Sequence, residues 1–220
     1  MKPVVIFDMD GVIVDNGKYH KQAWDVFCKR HNIVFSEEKF RTVFFGRTNE
    51  EILPDLFNRI LSKREIKKFG DEKEAVYREI YSLELKAAPG FDHFFKELKN
   101  NKIPVGVATS APKENVDFVL QGLGIQHLID VVVDDSMVSK GKPSPEIYIK
   151  TASLLNTSPE QCVVFEDSMS GTRAAFDAGA KVVALTTTLP AEEHKFAHLL
   201  INDFSEISIA KVQSLLTDSK

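Results

Sequence analysis

The chain contains few cysteines: Cys28 and Cys162 are the only two among 220 residues. They lie far apart and match no zinc-binding or redox spacing, which argues against a zinc module or a thiol oxidoreductase. Two free, buried thiols fit a reducing compartment. We therefore interpret both cysteines as core residues.

Long apolar runs and a basic surplus are also missing. No stretch approaches the roughly 20 apolar residues that a membrane span requires. The N-terminus reaches Asp8 before the hydrophobic region of a signal peptide could form. Lys and Arg number 28 against 32 Asp and Glu, a net charge of −4, whereas nucleic-acid binders usually carry an excess of basic residues. We expect a cytoplasmic protein without nucleic-acid or membrane partners.

What the sequence does contain is a series of short apolar runs rich in β-branched residues. None of them alternates with polar residues, as is typical of strands covered on both faces. Helical patterns lie between the runs, and strands that alternate with helices predict an α/β fold with a parallel sheet. The runs are Val4–Phe7, Ile103–Ala108, Val131–Val133, Cys162–Phe165 and Val182–Leu185, with a further short strand predicted at Leu199–Ile201.

The segment 16–86 interrupts this alternation and has no convincing strand. Its apolar residues recur at helical spacing, with one stripe over 52–61 and another over 76–83. Thr48-x-x-Glu51 has the pattern of a capping box that begins a helix. We therefore predict a catalytic core formed by 1–15 and 87–220, with an all-helical domain at 16–86 inserted after the first strand.

An acidic pair, Asp8 and Asp10, directly follows the first strand. Ligands of open α/β sheets bind beyond the carboxyl ends of the strands, so a functional site is expected there. One carboxylate could attack phosphorus while the other holds or delivers a proton. Gly11 would allow a sharp turn. A turn with two solvated acids is the alternative interpretation of the pair alone.

Two further strand ends carry a hydroxyl pair and a lysine. Thr109 and Ser110 follow the second strand, and a hydroxyl beside a helix start can hold phosphate oxygens. Lys142 stands before a predicted helix start at Ser144 and Pro145, where its ammonium could offset phosphate charge. A plain helix cap and a surface lysine are the alternatives, and Lys140 competes with Lys142 for the role.

A second acidic pair, Glu166 and Asp167, follows the predicted strand at Cys162–Phe165. Adjacent acids after a buried strand are unfavourable unless a cation compensates them. Mg²⁺ prefers oxygen ligands and retains several waters. An acidic helix start that favours the helix dipole is the alternative. In chain order, the four strand ends thus supply the nucleophile, hydroxyl, cation and metal ligands that phosphoryl transfer requires.

Over essentially its whole length, the sequence resembles the haloacid dehalogenase superfamily. The four motifs match Asp8–Asp10, Thr109/Ser110, Lys142 and Glu166/Asp167, and the helical insert resembles the cap of the β-phosphoglucomutase-like phosphatases. The resemblance implies a Rossmann-like core with the first strand central and the fourth-motif strand beside it. Dehalogenases of the superfamily lack the second acid, so Asp10 favours phosphate chemistry.

The resemblance also implies residue roles. Asp8 would form an aspartyl-phosphate, and Asp10 would act as acid and base, its carbonyl also binding Mg²⁺. Thr109 or Ser110 and Lys142 would hold phosphoryl oxygens. Asp8, Asp10, Glu166 and Asp167 would form the metal site.

The implied substrate-binding residues of the cap are His20, Arg47, Thr48, Asn49 and Lys73. The mutases have a basic residue third after the loop glycine, where this chain has Asn49. We therefore expect a monomeric phosphatase acting on a small phosphate monoester, with a hexose phosphomutase as the alternative. A phospho-receiver module uses similar groups, but there the lysine comes last in the chain, whereas Lys142 precedes Glu166.

Overall fold

The computed structural model describes residues 2–36 and 48–217. Contacts divide the chain into two compact units. One comprises Met1–Asp15 with Lys86–Lys220, and the other comprises Asn16–Leu85. We call them the core and the helical unit. No helix in the described ranges is both long and apolar enough to cross a bilayer.

The core is built on a six-stranded sheet in the order β3-β2-β1-β4-β5-β6, in which every paired neighbour is parallel. This confirms the predicted α/β class and the central position of the first strand. The strands are β1 (Val4–Phe7), β2 (Val105–Ala108), β3 (Val131–Val133), β4 (Cys162–Glu166), β5 (Lys181–Leu185) and β6 (Leu199–Ile201).

The register brings the ends of β1 and β4 together, with Phe7 opposite Phe165. β4 continues to Glu166, one residue beyond its predicted apolar run, so the first acid of the second pair lies in the sheet and is fully buried. β2 begins after Pro104 rather than at Ile103. Because β1, β2 and β4 are buried throughout, their apolar side chains are covered on both faces.

Helices connect these strands. Phe91 on the first of them contacts Phe7 of β1 edge to face, with ring centroids 5.3 Å apart. Phe7 also packs against Phe204 near the end of the chain. The core helices are α4 (Phe91–Asn100), α5 (Lys113–Gly122), α6 (Glu146–Leu154), α7 (Met169–Asp177) and α8 (Ile209–Thr217). A single 3₁₀ turn, Ala191–Glu193, lies between β5 and β6.

The helical unit contains α1 (Gly17–Arg30), α2 (Asn49–Phe57) and α3 (Lys63–Tyr81) in its described part. The Glu51 carboxylate accepts the Thr48 backbone N–H at 2.9 Å, as the predicted capping box requires. α2 ends at Phe57, and Asn58, which follows it, has a left-handed φ of 49°. Ile60 therefore lies outside the helix and is 94% exposed, although the apolar stripe had assigned it to a packed face.

Candidate active site

Lys142 connects the ends of β1 and β4. Its Nζ donates to Asp8 Oδ1 and to Glu166 Oε1, each at 2.6 Å, and to the Ala108 carbonyl at 3.3 Å. The side chain is only 7% exposed. Lys140 is exposed and contributes its backbone N–H to Glu146. Of the two candidate lysines, the structure thus brings Lys142 to Asp8.

Glu166 is held from both sides of its carboxylate. Oε1 accepts from Lys142 and from the Tyr148 hydroxyl at 2.8 Å. Oε2 accepts the backbone N–H groups of Asp167 and Ser168 and the Ser168 hydroxyl, at 2.9–3.0 Å. No motif in the sequence points to Tyr148, which lies on α6. A phenol among Ile and Ala side chains is the signal that could have identified it, because a buried hydroxyl requires a partner.

Asp167 lies beside the turn that follows Asp8. Its Oδ2 accepts from the Thr188 hydroxyl. Gly11, with φ of 78°, leaves room for it, since a Cβ at this position would lie 1.8 Å from Asp167 Oδ2. The Thr187 hydroxyl donates to the Gly11 carbonyl at 2.7 Å. Neither threonine was singled out in the sequence, where they belong to a polar run without a motif.

Three of the four acids in the two pairs lie close together. Carboxylate oxygens of Asp8, Glu166 and Asp167 lie within 4.8 Å of one another, and all three residues are buried. Asp10, which follows Asp8 in the same turn, is half-buried, and its charge raises the pKa of Asp8. Gly11 N donates to the Val14 carbonyl at 2.7 Å and closes this turn.

The charges of this cluster are unbalanced. Burial, together with the Glu166 and Asp10 charges, raises the pKa of Asp8 to about 8 against the opposing effect of Lys142. Burial and the two neighbouring carboxylates also raise the pKa of Asp167 well above its usual value. Burial acts in the same direction on Glu166, but Lys142 and the hydrogen bonds outweigh it and lower the pKa of Glu166.

These residues fit a divalent cation. Among the described residues, these three buried carboxylates face a single ammonium, and a hard cation with oxygen ligands would supply the missing positive charge. A cation beside them would favour the ionised forms of both Asp8 and Asp167. The oxygen-only donor set suits hard cations better than soft ones.

The hydroxyl pair lies at the end of β2. Thr109 is 1% exposed, its N–H donates to the Val133 carbonyl, and its Oγ1 accepts the Ala111 N–H at 3.1 Å. Ser110 is exposed. α5 begins beyond Pro112, which occupies the N-cap position. The buried Thr109 hydroxyl thus stabilises the turn, and the Ser110 side chain lies at the surface.

Three of the predicted cap residues meet within the helical unit. Lys73 Nζ lies 2.9 Å from His20 Nδ1 and 2.9 Å from Glu74 Oε1, and Asn49 Nδ2 donates to the same Glu74 oxygen at 2.9 Å. The His20 ring stacks on Tyr77, with centroids 3.9 Å apart. Thr48 caps α2, and Arg47 lies outside the described residues.

Glu74 is a member of this cluster that the sequence did not identify. It is 5% exposed and forms the buried ion pair with Lys73. Burial would raise its pKa, but the Lys73 and His20 charges and the hydrogen bonds from Asn49 and Lys73 outweigh burial. The pKa of Glu74 therefore falls from 4.5 to about 2.

Comparison with known proteins places this arrangement in a family. The profile of the haloacid dehalogenase-like hydrolases matches residues 5–185. The validoxylamine A 7'-phosphate phosphatase of Streptomyces hygroscopicus subsp. limoneus is 32% identical, over 94% of this chain and 96% of its own. The phosphorylated carbohydrates phosphatase of Thermotoga maritima is 34% identical, over 80% and 81% of the two chains.

Two further similarities cover both units. The β-phosphoglucomutase of Bacillus subtilis is 31% identical over 82% of each chain. The crystal structure of a family IA, variant 3 hydrolase from Entamoeba histolytica superposes with a TM-score of 0.91 at 30% identity, covering 98% of this chain and 100% of that one. The resemblance inferred from the four motifs is confirmed: this chain belongs to the haloacid dehalogenase-like hydrolase family.

Proposed function

We propose that the protein is a Mg²⁺-dependent phosphatase that hydrolyses a small phosphate monoester through an aspartyl-phosphate. The observation that carries the proposal is the buried Asp8 carboxylate at the end of β1, 2.6 Å from the Lys142 ammonium and clustered with Glu166 and Asp167. A carboxylate, a fixed cation and further acids at one sheet edge form the constellation that phosphoryl transfer requires.

The reaction has two displacements. In the first, an Asp8 oxygen forms a bond to phosphorus, the bond from phosphorus to the leaving oxygen breaks, and Asp10 gives its proton to that oxygen. In the second, Asp10 takes a proton from water, the water oxygen attacks phosphorus, and the Asp8 carboxylate leaves. Free alcohol and inorganic phosphate are released, and both acids return to their starting protonation states.

The remaining residues bind and orient. Lys142 would hold a phosphoryl oxygen and favours the ionised form of Asp8, and Thr109 or Ser110 would donate to a second oxygen. Asp8, Asp167 and the Asp10 carbonyl would hold Mg²⁺, with Glu166 beside them. When bound, Mg²⁺ would neutralise the charge that develops on the phosphoryl oxygens.

A sugar phosphate or a similar metabolite is the proposed substrate class. The two phosphatases compared above are named for a 7'-phosphate and for phosphorylated carbohydrates. His20, Asn49 and Lys73, with Arg47 and Thr48, would select the substrate. A monomeric, cytoplasmic enzyme is part of the same proposal, and the two buried cysteines, both free thiols, fit a reducing compartment.

Release of inorganic phosphate from a panel of sugar phosphates and other small monoesters tests the proposal. Activity should require Mg²⁺, disappear with EDTA and be lost in Asp8→Asn, because an amide cannot serve as the nucleophile. The exposed Asp92→Asn is the matched control and should retain wild-type rates. EDTA-resistant activity, or an active Asp8→Asn variant, would contradict the mechanism.

A hexose phosphomutase is the second candidate, favoured by the similarity to the Bacillus subtilis enzyme. It would use the same core residues, but a substrate hydroxyl would replace water as the acceptor of the phosphoryl group from Asp8. Isomerisation of a hexose phosphate, primed by a bisphosphate, would then outrun phosphate release. Running both assays on the same preparation distinguishes the two candidates.

A further inference from the structure

Three consecutive threonines follow β5, and each hydroxyl has a different partner. Thr186 Oγ1 donates to Asn202 Oδ1 at 2.9 Å, away from the acidic cluster. Thr187 Oγ1 donates to the Gly11 carbonyl at 2.7 Å. Thr188 Oγ1 donates to Asp167 Oδ2. One short segment of the core thus contacts the turns that follow both β1 and β4.

The contact between Thr188 and Asp167 lies in space that Gly11 leaves open. A Cβ on Gly11 would lie 1.8 Å from Asp167 Oδ2 and 3.0 Å from Thr188 Oγ1. The space left by the absence of a side chain at Gly11 is therefore filled by the Asp167 carboxylate and the Thr188 hydroxyl. Asp167 is 6% exposed, so its oxygens have little access to bulk water and depend on protein partners or a cation.

The Thr187 contact anchors the same segment. Because its hydroxyl binds the carbonyl of Gly11, the segment is fixed to the turn that carries Asp10. Threonine has few accessible χ1 rotamers, so anchoring the segment also limits the positions that the neighbouring Thr188 hydroxyl can take. The donor to Asp167 is therefore already in place before any ligand arrives.

We propose that Thr188 is a positioning residue, which orients the Asp167 carboxylate for the metal ion. The inference rests on the Mg²⁺ site of the proposed function. When a fixed hydroxyl holds one oxygen of a carboxylate, the side chain loses less conformational freedom on binding a metal ion through its second oxygen. Outer-shell hydrogen bonds of this kind typically contribute 10–100-fold to metal affinity.

Binding of Mn²⁺ as a paramagnetic probe, followed by EPR of the free ion, measures affinity without turnover. Competition with Mg²⁺ then gives the Mg²⁺ affinity. Thr188→Val should weaken binding by about 10–100-fold, and Thr188→Ser should restore it towards wild type because it keeps the hydroxyl. Thr186→Val removes a hydroxyl two residues away, whose partner is Asn202, and should bind as wild type does.

The outcomes separate the two proposals. Wild-type protein that binds neither ion refutes the metal site of the proposed function and the inference with it. Wild-type binding that Thr188→Val leaves unchanged overturns the inference alone, as would a Thr188→Ser variant as weak as Thr188→Val. Thermal melts without metal verify folding, and Thr188→Ala, which also lacks the hydroxyl, replaces Thr188→Val if the latter is unfolded.

Discussion

Gly171 on α7 offers a sharp test of the active-site packing, because it lies against Glu166. A Cβ built on Gly171 would lie 1.6 Å from Glu166 Oε1 and 2.0 Å from the carboxylate carbon. Neither the sheet residue Glu166 nor the helix backbone can move aside easily. The Gly171→Ala variant must therefore displace the carboxylate from Lys142 and Tyr148.

The expected cost follows from the two contacts of Oε1. Lys142 donates to it at 2.6 Å and Tyr148 at 2.8 Å. Hydrogen bonds to charged groups contribute about 1.5–3 kcal/mol each, so the loss of both would cost about 3–6 kcal/mol. Replacing glycine with alanine in a compatible backbone stabilises by about 0.4–1 kcal/mol. We expect a net loss of about 2–5 kcal/mol in the free energy of unfolding.

Gly17 provides the matched control. It begins α1, and apart from its chain neighbours and the backbone of its own helix, no described atom lies within 4 Å of a Cβ built on it. Gly17→Ala should therefore stabilise by up to about 1 kcal/mol. Urea denaturation followed by circular dichroism compares the variants, and phosphate release should fall only in Gly171→Ala. If Gly171→Ala were as stable and active as Gly17→Ala, Gly171 would not be the residue that makes room for Glu166.

Two further predictions concern buried polar contacts. Tyr148→Phe removes the 2.8 Å hydrogen bond to Glu166 and should lower the free energy of urea-induced unfolding by about 1–3 kcal/mol. Glu74→Gln should destabilise at pH 7 on the order of 3 kcal/mol, since the pKa of Glu74 lies at about 2 rather than 4.5. Because folding lowers the pKa of Glu74, its carboxylate stabilises the folded protein at pH values above the unfolded pKa of 4.5. The stability difference between wild type and Glu74→Gln should therefore persist above pH 4.5 and vanish towards pH 2. Thermal melts at several pH values measure it, with the exposed Glu79→Gln as control.

The sequence predicted the core well because strand ends in a parallel sheet are determined by local patterns. The unbroken apolar runs of β1 and β4 are followed directly by Asp8 and Glu166. Because the two strands are parallel neighbours, their carboxyl ends, and with them the two acids, lie close together. Helix starts were less accurate. α6 begins at Glu146, after Pro145 in the N-cap position, one residue later than predicted.

Contacts that join distant segments could not be predicted in the same way. Thr188 is 21 residues from Asp167, and Tyr148 is 18 residues from Glu166. Neither pair has a sequence spacing that implies contact, since both depend on how the segments around β4 pack. Leu83 illustrates the opposite error: it continues the apolar stripe of α3, but the helix ends at Tyr81 and Leu83 is 94% exposed.

Charge balance distinguishes the two units and bears on the choice between phosphatase and mutase. In the described part of the core, three buried carboxylates face one lysine, an excess of negative charge that a metal ion would neutralise. In the helical unit, the Lys73 ammonium is already paired with the buried Glu74 carboxylate at 2.9 Å.

A mutase must hold the second phosphate of a bisphosphate, and a lysine whose charge is already neutralised attracts such a group weakly. The pairing of Lys73 with Glu74 therefore favours hydrolysis of a monoester, and Glu74→Gln should raise affinity for bisphosphates relative to monophosphates if Lys73 contacts the substrate. Equal inhibition of wild type and Glu74→Gln by a sugar bisphosphate would contradict this reasoning.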